Sequence, residues 1–154
     1  MVRIHSLLIL LFLVTSCVGS GEEAIFFSDS PSNEKFDVGE FMEFRIPSLD
    51  TALLYNVDLY ARVHSLSNAQ ELPILLKIIS PEGRRFIDTI RLNMYSNLDN
   101  PIYAKSGAWR DYRWSYRSKV NLPERGTWYL RVELIDGSTP VDGLVEFGFI
   151  LNKR

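Results

Sequence analysis

Tyr55-Asn56-Val57-Asp58-Leu59-Tyr60-Ala61-Arg62-Val63 sets the class of the fold. Tyr55, Val57, Leu59, Ala61 and Val63 fall on one face at a period of two, and Asn56, Asp58 and Arg62 fall on the other. A strand points successive side chains to opposite sides, so this run describes a strand with one face in a core and one in water. Trp128 to Ile135 repeats the pattern, with Trp128, Leu130, Val132 and Leu134 opposing Tyr129, Arg131, Glu133 and Ile135. Both runs are rich in β-branched and aromatic residues, which suit a pleated, half-buried surface.

Working outward, Phe41, Glu43 and Arg45 alternate with Met42, Phe44 and Ile46, and Ala24 to Ser28 is short and apolar. Pro73 to Ser80 is nearly all aliphatic, which predicts a strand covered on both faces. Phe86 to Asn93, Tyr112 to Val120 and Leu144 to Leu151 read as further strands. Asn97 to Gly107 has no strand pattern and reads as a loop. No segment sustains a 3.6-residue period with caps at both ends. Ser80-Pro81-Glu82-Gly83 has the residue order of a type I turn, and Pro123-Glu124-Arg125-Gly126 is a second turn. Asp136-Gly137 has the chemistry of a hairpin turn, lengthened by Ser138, Thr139 and Pro140. Strands roughly 10 to 15 residues apart with such turns predict an all-β, antiparallel β-sandwich of jelly-roll type.

The chain has 154 residues, enough for one domain with a core. Hydrophobic residues at 46% and charged residues at 23% are ordinary for a folded globular protein. The net charge is −2 and no Lys/Arg run is present, so nucleic acid is not an expected partner.

The first residues read as an export signal rather than as part of the fold. Arg3 supplies the positive charge, and Leu7 to Val14 is an almost unbroken run of Leu, Ile, Phe and Val. That run is too short to cross a hydrocarbon layer of roughly 30 Å, which takes about 20 helical residues, and it has the length of a signal-peptide core. Cys17 is the only cysteine, so no intramolecular disulfide forms. Val14-Thr15-Ser16-Cys17 resembles the lipobox of bacterial lipoproteins, in which the thiol is acylated and the cysteine becomes the mature N-terminus. The same residues also fit an ordinary secretory signal that happens to carry a cysteine. A free exposed thiol on a secreted chain is reactive, which favours lipidation of Cys17. The expected organisation is a signal peptide over 1–16, a lipidated N-terminus and Gly19-Ser20-Gly21 tether over 17–23, and a β-sandwich domain over 24–154.

Catalytic constellations are sparse. His5 leaves with the signal, and His64 remains without a cysteine to pair with, so neither a Cys/His pair nor a zinc cluster is expected. Glu133 with Asp136, and Asp88 with Glu82, are the carboxylate pairs on offer, and they read as solvated strand or turn residues. No G-x-S-x-G elbow and no phosphate-binding glycine loop is present. The expectation is a non-enzymatic protein without metal or cofactor. Trp109, Tyr112, Trp114 and Tyr116 form the candidate binding surface. On a strand, Tyr112, Trp114 and Tyr116 share one face, and Asp111, Arg113, Ser115 and Arg117 share the other. Exposed, such an aromatic strip stacks on sugar rings or serves as a protein-binding hot spot; turned inward, it is one wall of a core.

Several short stretches in order are similar to one known family. They are Leu54-Tyr55-Asn56-Val57, then Leu72-Pro73-Ile74-Leu75-Leu76 leading to Ser80-Pro81-Glu82-Gly83, then Asp88-Thr89-Ile90. Leu122-Pro123-Glu124-Arg125-Gly126-Thr127-Trp128 and Pro140-Val141-Asp142-Gly143-Leu144 with Phe147-Gly148 follow. Together with the lipobox, they resemble the gliding-motility lipoprotein H family of Bacteroidetes over roughly residues 25–152. The resemblance implies a cell-envelope lipoprotein held at the outer membrane by its N-terminal lipid, acting through contacts with other envelope or motility proteins. The alternative is a surface lipoprotein that binds glycans through the aromatic strip. Glu22 and Glu23 read as a solvated linker, although acidic residues in this position also act as a surface-export signal in some lipoproteins of that phylum.

Overall fold

The computed structural model describes residues 23–94 and 102–154. The expected signal peptide, Cys17 and the tether up to Glu22 lie outside the described residues. The regular structure of the described chain is almost all strand: β1 (Ala24–Asp29), β2 (Lys35–Phe36), β3 (Phe41–Ser48), β4 (Tyr55–His64), β5 (Glu71–Ile79), β6 (Arg85–Asn93), β7 (Ile102–Ser106), β8 (Trp109–Val120), β9 (Gly126–Leu134), β10 (Val141–Asp142) and β11 (Leu144–Lys153).

One sheet has the order β1-β11-β4-β8-β7 and the other β3-β9-β5-β6, and every pairing is antiparallel. With β7 set aside, β1 pairs with β11, β3 with β9, β4 with β8 and β5 with β6, so the chain behaves as one long hairpin rolled into two sheets. This is the jelly-roll arrangement that the strand spacing predicts. The tip of the long hairpin is the Ser80-Pro81-Glu82-Gly83 turn, in which the Gly83 N–H donates to the Ser80 carbonyl at 2.9 Å. Gly83 has φ +84°, a conformation that costs a glycine little.

The core lies between the sheets, and the period-two readings place it. Met42, Phe44 and Ile46 of β3, Leu59, Ala61 and Val63 of β4, and Trp128, Leu130, Val132 and Leu134 of β9 are all buried. Phe44 of β3 meets Phe149 of β11 edge-on at 4.9 Å between ring centroids and Phe147 of β11 at 6.3 Å, which ties the two sheets at their centre. The short β2–β10 ladder (Val141 opposite Phe36) closes one end and buries both side chains.

Three expectations are corrected. Residues 102–106 of the expected Asn97–Gly107 loop form β7, which turns through Gly107-Ala108 to pair with β8; residues 97–101 lie outside the described residues. A five-residue strand paired on one side needs little hydrophobic content, so its sequence carries little signal. Asp136-Gly137 does make a turn, with the Ser138 N–H donating to the Ile135 carbonyl at 3.0 Å, but no hairpin follows. β9 is flanked by β3 and β5, and the chain crosses to the other sheet. Lastly, β5 is covered on both faces only in part. Leu72, Ile74 and Leu76 are buried, whereas Ile79 is exposed on the outer face. The aliphatic run comes from a central strand whose outer face is covered at Pro73 and opens toward Ile79.

Candidate binding surfaces

β8 carries the expected aromatic strip, and its register decides what the strip does. Tyr112 sits opposite Ala61 and Trp114 opposite Leu59, both inward-facing positions of β4. Tyr112 is only 4% exposed, and Trp114 stacks on it at 5.6 Å with 11° between ring planes. Trp114 and Tyr116 pack partly buried against the core. The Trp114 Nε1–H donates to the Asn93 carbonyl at 3.0 Å, and the Tyr116 hydroxyl donates to Asp88 Oδ2 at 2.8 Å, both across to β6. These aromatics lie on the inward side of β8, Tyr112 buried and Trp114 and Tyr116 partly buried against the core. Burying large rings between the sheets gains more than leaving them in water, and their polar atoms find partners there. Trp109 stands apart, opposite His64, whose ring it meets edge-on at 5.1 Å.

The expected partition of β8 fails at one point. The β4–β8 register shifts between Asp58, opposite Ser115, and Val57, opposite Arg117, so Tyr116 is an extra residue in the ladder. A bulge re-aims the side chains that follow it. Arg117 accordingly reaches the same carboxylate as Tyr116, with Nη2 2.9 Å from Asp88 Oδ2. The Tyr116 hydrogen bond is the largest influence on Asp88, and with Arg117 it outweighs the opposing effect of desolvation, so the carboxyl lies below its ordinary pKa.

The two turns recognised in the sequence are joined by Glu124. Its carboxylate accepts the Glu82 N–H at 2.8 Å and pairs with the Arg84 guanidinium, while its carbonyl accepts the Trp128 Nε1–H at 3.1 Å. Desolvation pushes the Glu124 pKa up, and hydrogen bonds from Ser80, Glu82 and Arg84 more than reverse it. On the outer face of the five-stranded sheet, Asp111 accepts from Arg62 (2.7 and 3.0 Å) and from the Tyr60 hydroxyl (3.1 Å). Asp58 takes Arg113 and Asn152. Desolvation and the Asp111 charge push the Tyr60 pKa up to about 12.

One carboxylate of each pair weighed as catalytic is engaged with a cation. Glu133 takes Lys77 Nζ at 2.6 Å, and Asp88 takes Arg117. His64 Nδ1 accepts the Leu66 N–H at 3.2 Å, beside a depression of 820 Å³ between loops 64–71 and 135–143. Among the described residues, no group of three His, Cys, Asp or Glu side chains is placed to hold a metal ion.

The outer face of the four-stranded sheet has a different character. Its ladder aligns Arg45, Tyr129, Ile79 and Arg85 in one row across the strands, and Glu43, Arg131, Lys77 and Ile87 in the next. Tyr129, Ile79, Ile87 and Phe41 are exposed. The Arg131 guanidinium lies 4.0 Å from the Phe41 ring centroid, and that of Arg45 lies 5.7 Å from the Tyr129 centroid. The side chain of Arg45 is 71% exposed and that of its partner Glu43 31%. The bases therefore stand above the carboxylates, and the accessible surface is aromatic and cationic. A shallow depression of 530 Å³ lined by Ile79, Ile87, Tyr129 and Arg131 lies within it. Each strand showed its outward residues in sequence; the rows they form across the sheet depend on lateral pairing, which no single strand carries. No protein-family model matches the chain, and no curated protein matches it.

Proposed function

We propose that this chain is a membrane-anchored, non-enzymatic lipoprotein of the bacterial cell envelope. In this reading Cys17 carries the lipid, and the β-sandwich acts through protein contacts like those of the gliding-motility lipoprotein H family. The lipobox at Val14-Thr15-Ser16-Cys17 and the order of the strand and turn motifs support it. The observation that carries the contact role is the outer face of the β3-β9-β5-β6 sheet. Tyr and Arg are the residue types that dominate binding hot spots, and here Tyr129, Arg45 and Arg131 surround exposed Ile79 and Ile87. Exposed apolar side chains gathered on one face of a folded domain mark an interaction surface.

The test is complementation of a deletion strain in a gliding host. Cys17→Ala should move the protein from the membrane to the soluble fraction. A Tyr129→Ala, Arg45→Glu variant should stay in the membrane while losing its co-purifying envelope proteins and colony spreading. Normal spreading and unchanged co-purification by the face variant would count against this reading.

A further inference from the structure

We propose that the cleft between β6 and β8 is a binding site for a single straight aliphatic chain ending in an anionic head group. The contact face lies on the outer side of the four-stranded sheet, so this site stands or fails separately from it.

The opening follows from strand pairing. β7 pairs with β8 only from Trp109 to Arg113, so among the described residues the stretch Trp114–Val120 has a neighbour, β4, on one side alone. Among the described residues β6 likewise pairs only with β5. Among the described residues, two unpaired edges thus lie on the same side of the sandwich, and the core is reached between them. The cleft has a volume of 570 Å³, within the range of about 300–1,000 Å³ usual for small-molecule sites. Ile46, Ile78 and Trp128 of one sheet form its floor, and Val57, Phe149 and Leu151 of the other form its roof. Facing sheets stand about 10 Å apart, which leaves depth for one layer of methylenes and too little for a bulky ring system.

The mouth supplies the polarity. Arg84 and Arg117 line it, with side chains 55% and 58% exposed, while those of their partners Glu124 and Asp88 are 3% and 35% exposed. The accessible charge is therefore positive. A guanidinium has five N–H donors, and Arg117 meets Asp88 through Nη2, so donors remain for a second carboxylate. Phe86, 48% exposed, gives the entrance an apolar lip.

Titration of the full-length chain in its unlipidated Cys17→Ala form with saturated fatty acids of increasing length, followed by calorimetry, tests the site. Expected are one molecule per chain and an affinity that rises about fourfold per methylene until the cleft is full, from about 0.8 kcal/mol per methylene. Val120→Trp, which fills the cleft, should abolish binding. Should that variant not fold, Phe86→Glu at the exposed lip reads the same loss. Arg117→Gln should remove the preference for dodecanoate over dodecanol while leaving dodecanol bound. Absence of saturable binding, or binding untouched by these cleft and lip substitutions, overturns the proposal. So does palmitate uptake by the Cys17→Ala form but not by the protein purified from membranes, which would assign the cleft to the chain's own lipid.

Discussion

The Tyr116 hydroxyl donates to Asp88 Oδ2 at 2.8 Å, joining the two sheets on their open side. It does so from a bulge that also brings Arg117 onto Asp88. Asp88 is a carboxylate on an edge strand, aimed toward the opposing sheet. An inward charge of this kind opposes edge-to-edge pairing with another chain, because a new neighbour would have to keep it satisfied. Tyr116→Phe should cost about 1–2 kcal/mol in urea unfolding, as for a hydrogen bond to a charged group, and should leave the m-value unchanged. A variant as stable as the parent would show that Arg117 alone satisfies Asp88.

Among the described glycines, Gly148 has the least room for a side chain. A Cβ built there would lie 2.4 Å from the Phe27 carbonyl oxygen of β1. Gly148→Ala should push β1 off β11 while the rest of the sandwich holds. Amide exchange should show loss of protection from Ala24 to Asp29, with β4 and β9 still protected.

Phe149 packs against both Phe44 and Phe147 at the centre of the core. Phe149→Ala should destabilise the domain by about 3–5 kcal/mol, a large share of the 5–15 kcal/mol typical of a whole domain. Denaturant titration checks this, and a cost under about 1 kcal/mol would mean that the core collapses around the vacancy.

Acid should unfold the protein through its paired carboxylates. Asp88 and Asp111 lie below the ordinary value of 3.8, and Glu124 lies below 4.5. For Asp111 the hydrogen bonds from Arg62 are the leading cause. A depressed carboxyl contributes stability above its unfolded pKa and loses it as pH falls through the folded value. The melting temperature should therefore be flat in this respect above about pH 5 and should fall below about pH 4. Replacing both Asp88 and Asp111 by Asn should lower stability at pH 7 and flatten the acid limb. An acid limb of unchanged slope in the double variant would place the protons elsewhere.

The alternating faces of β4 and β9 were legible because period two is a local property of an extended chain. The turn at Ser80-Pro81-Glu82-Gly83 was legible for the same reason, since proline and glycine act on their own backbone. The aromatic strip was legible in part. Tyr112 and Trp114 do share a face, but the bulge at Tyr116 reverses the expected side of Arg117. Trp109 lies beyond the strip with His64. A bulge is decided by how two strands fit, and neither strand records it alone.

What the sequence by itself determined is which residues seek a core and where the chain turns. Tertiary structure decided what those residues meet. Arg45 and Arg85 fall in one row only because β3, β9, β5 and β6 lie side by side, and Glu124 reaches Arg84 from a turn 40 residues away in the chain. Side-chain alternation comes from the sterics of neighbouring residues. Lateral pairing comes from burying a common core between distant strands, so the exposed aromatic and cationic face and the cleft exist only in the folded chain.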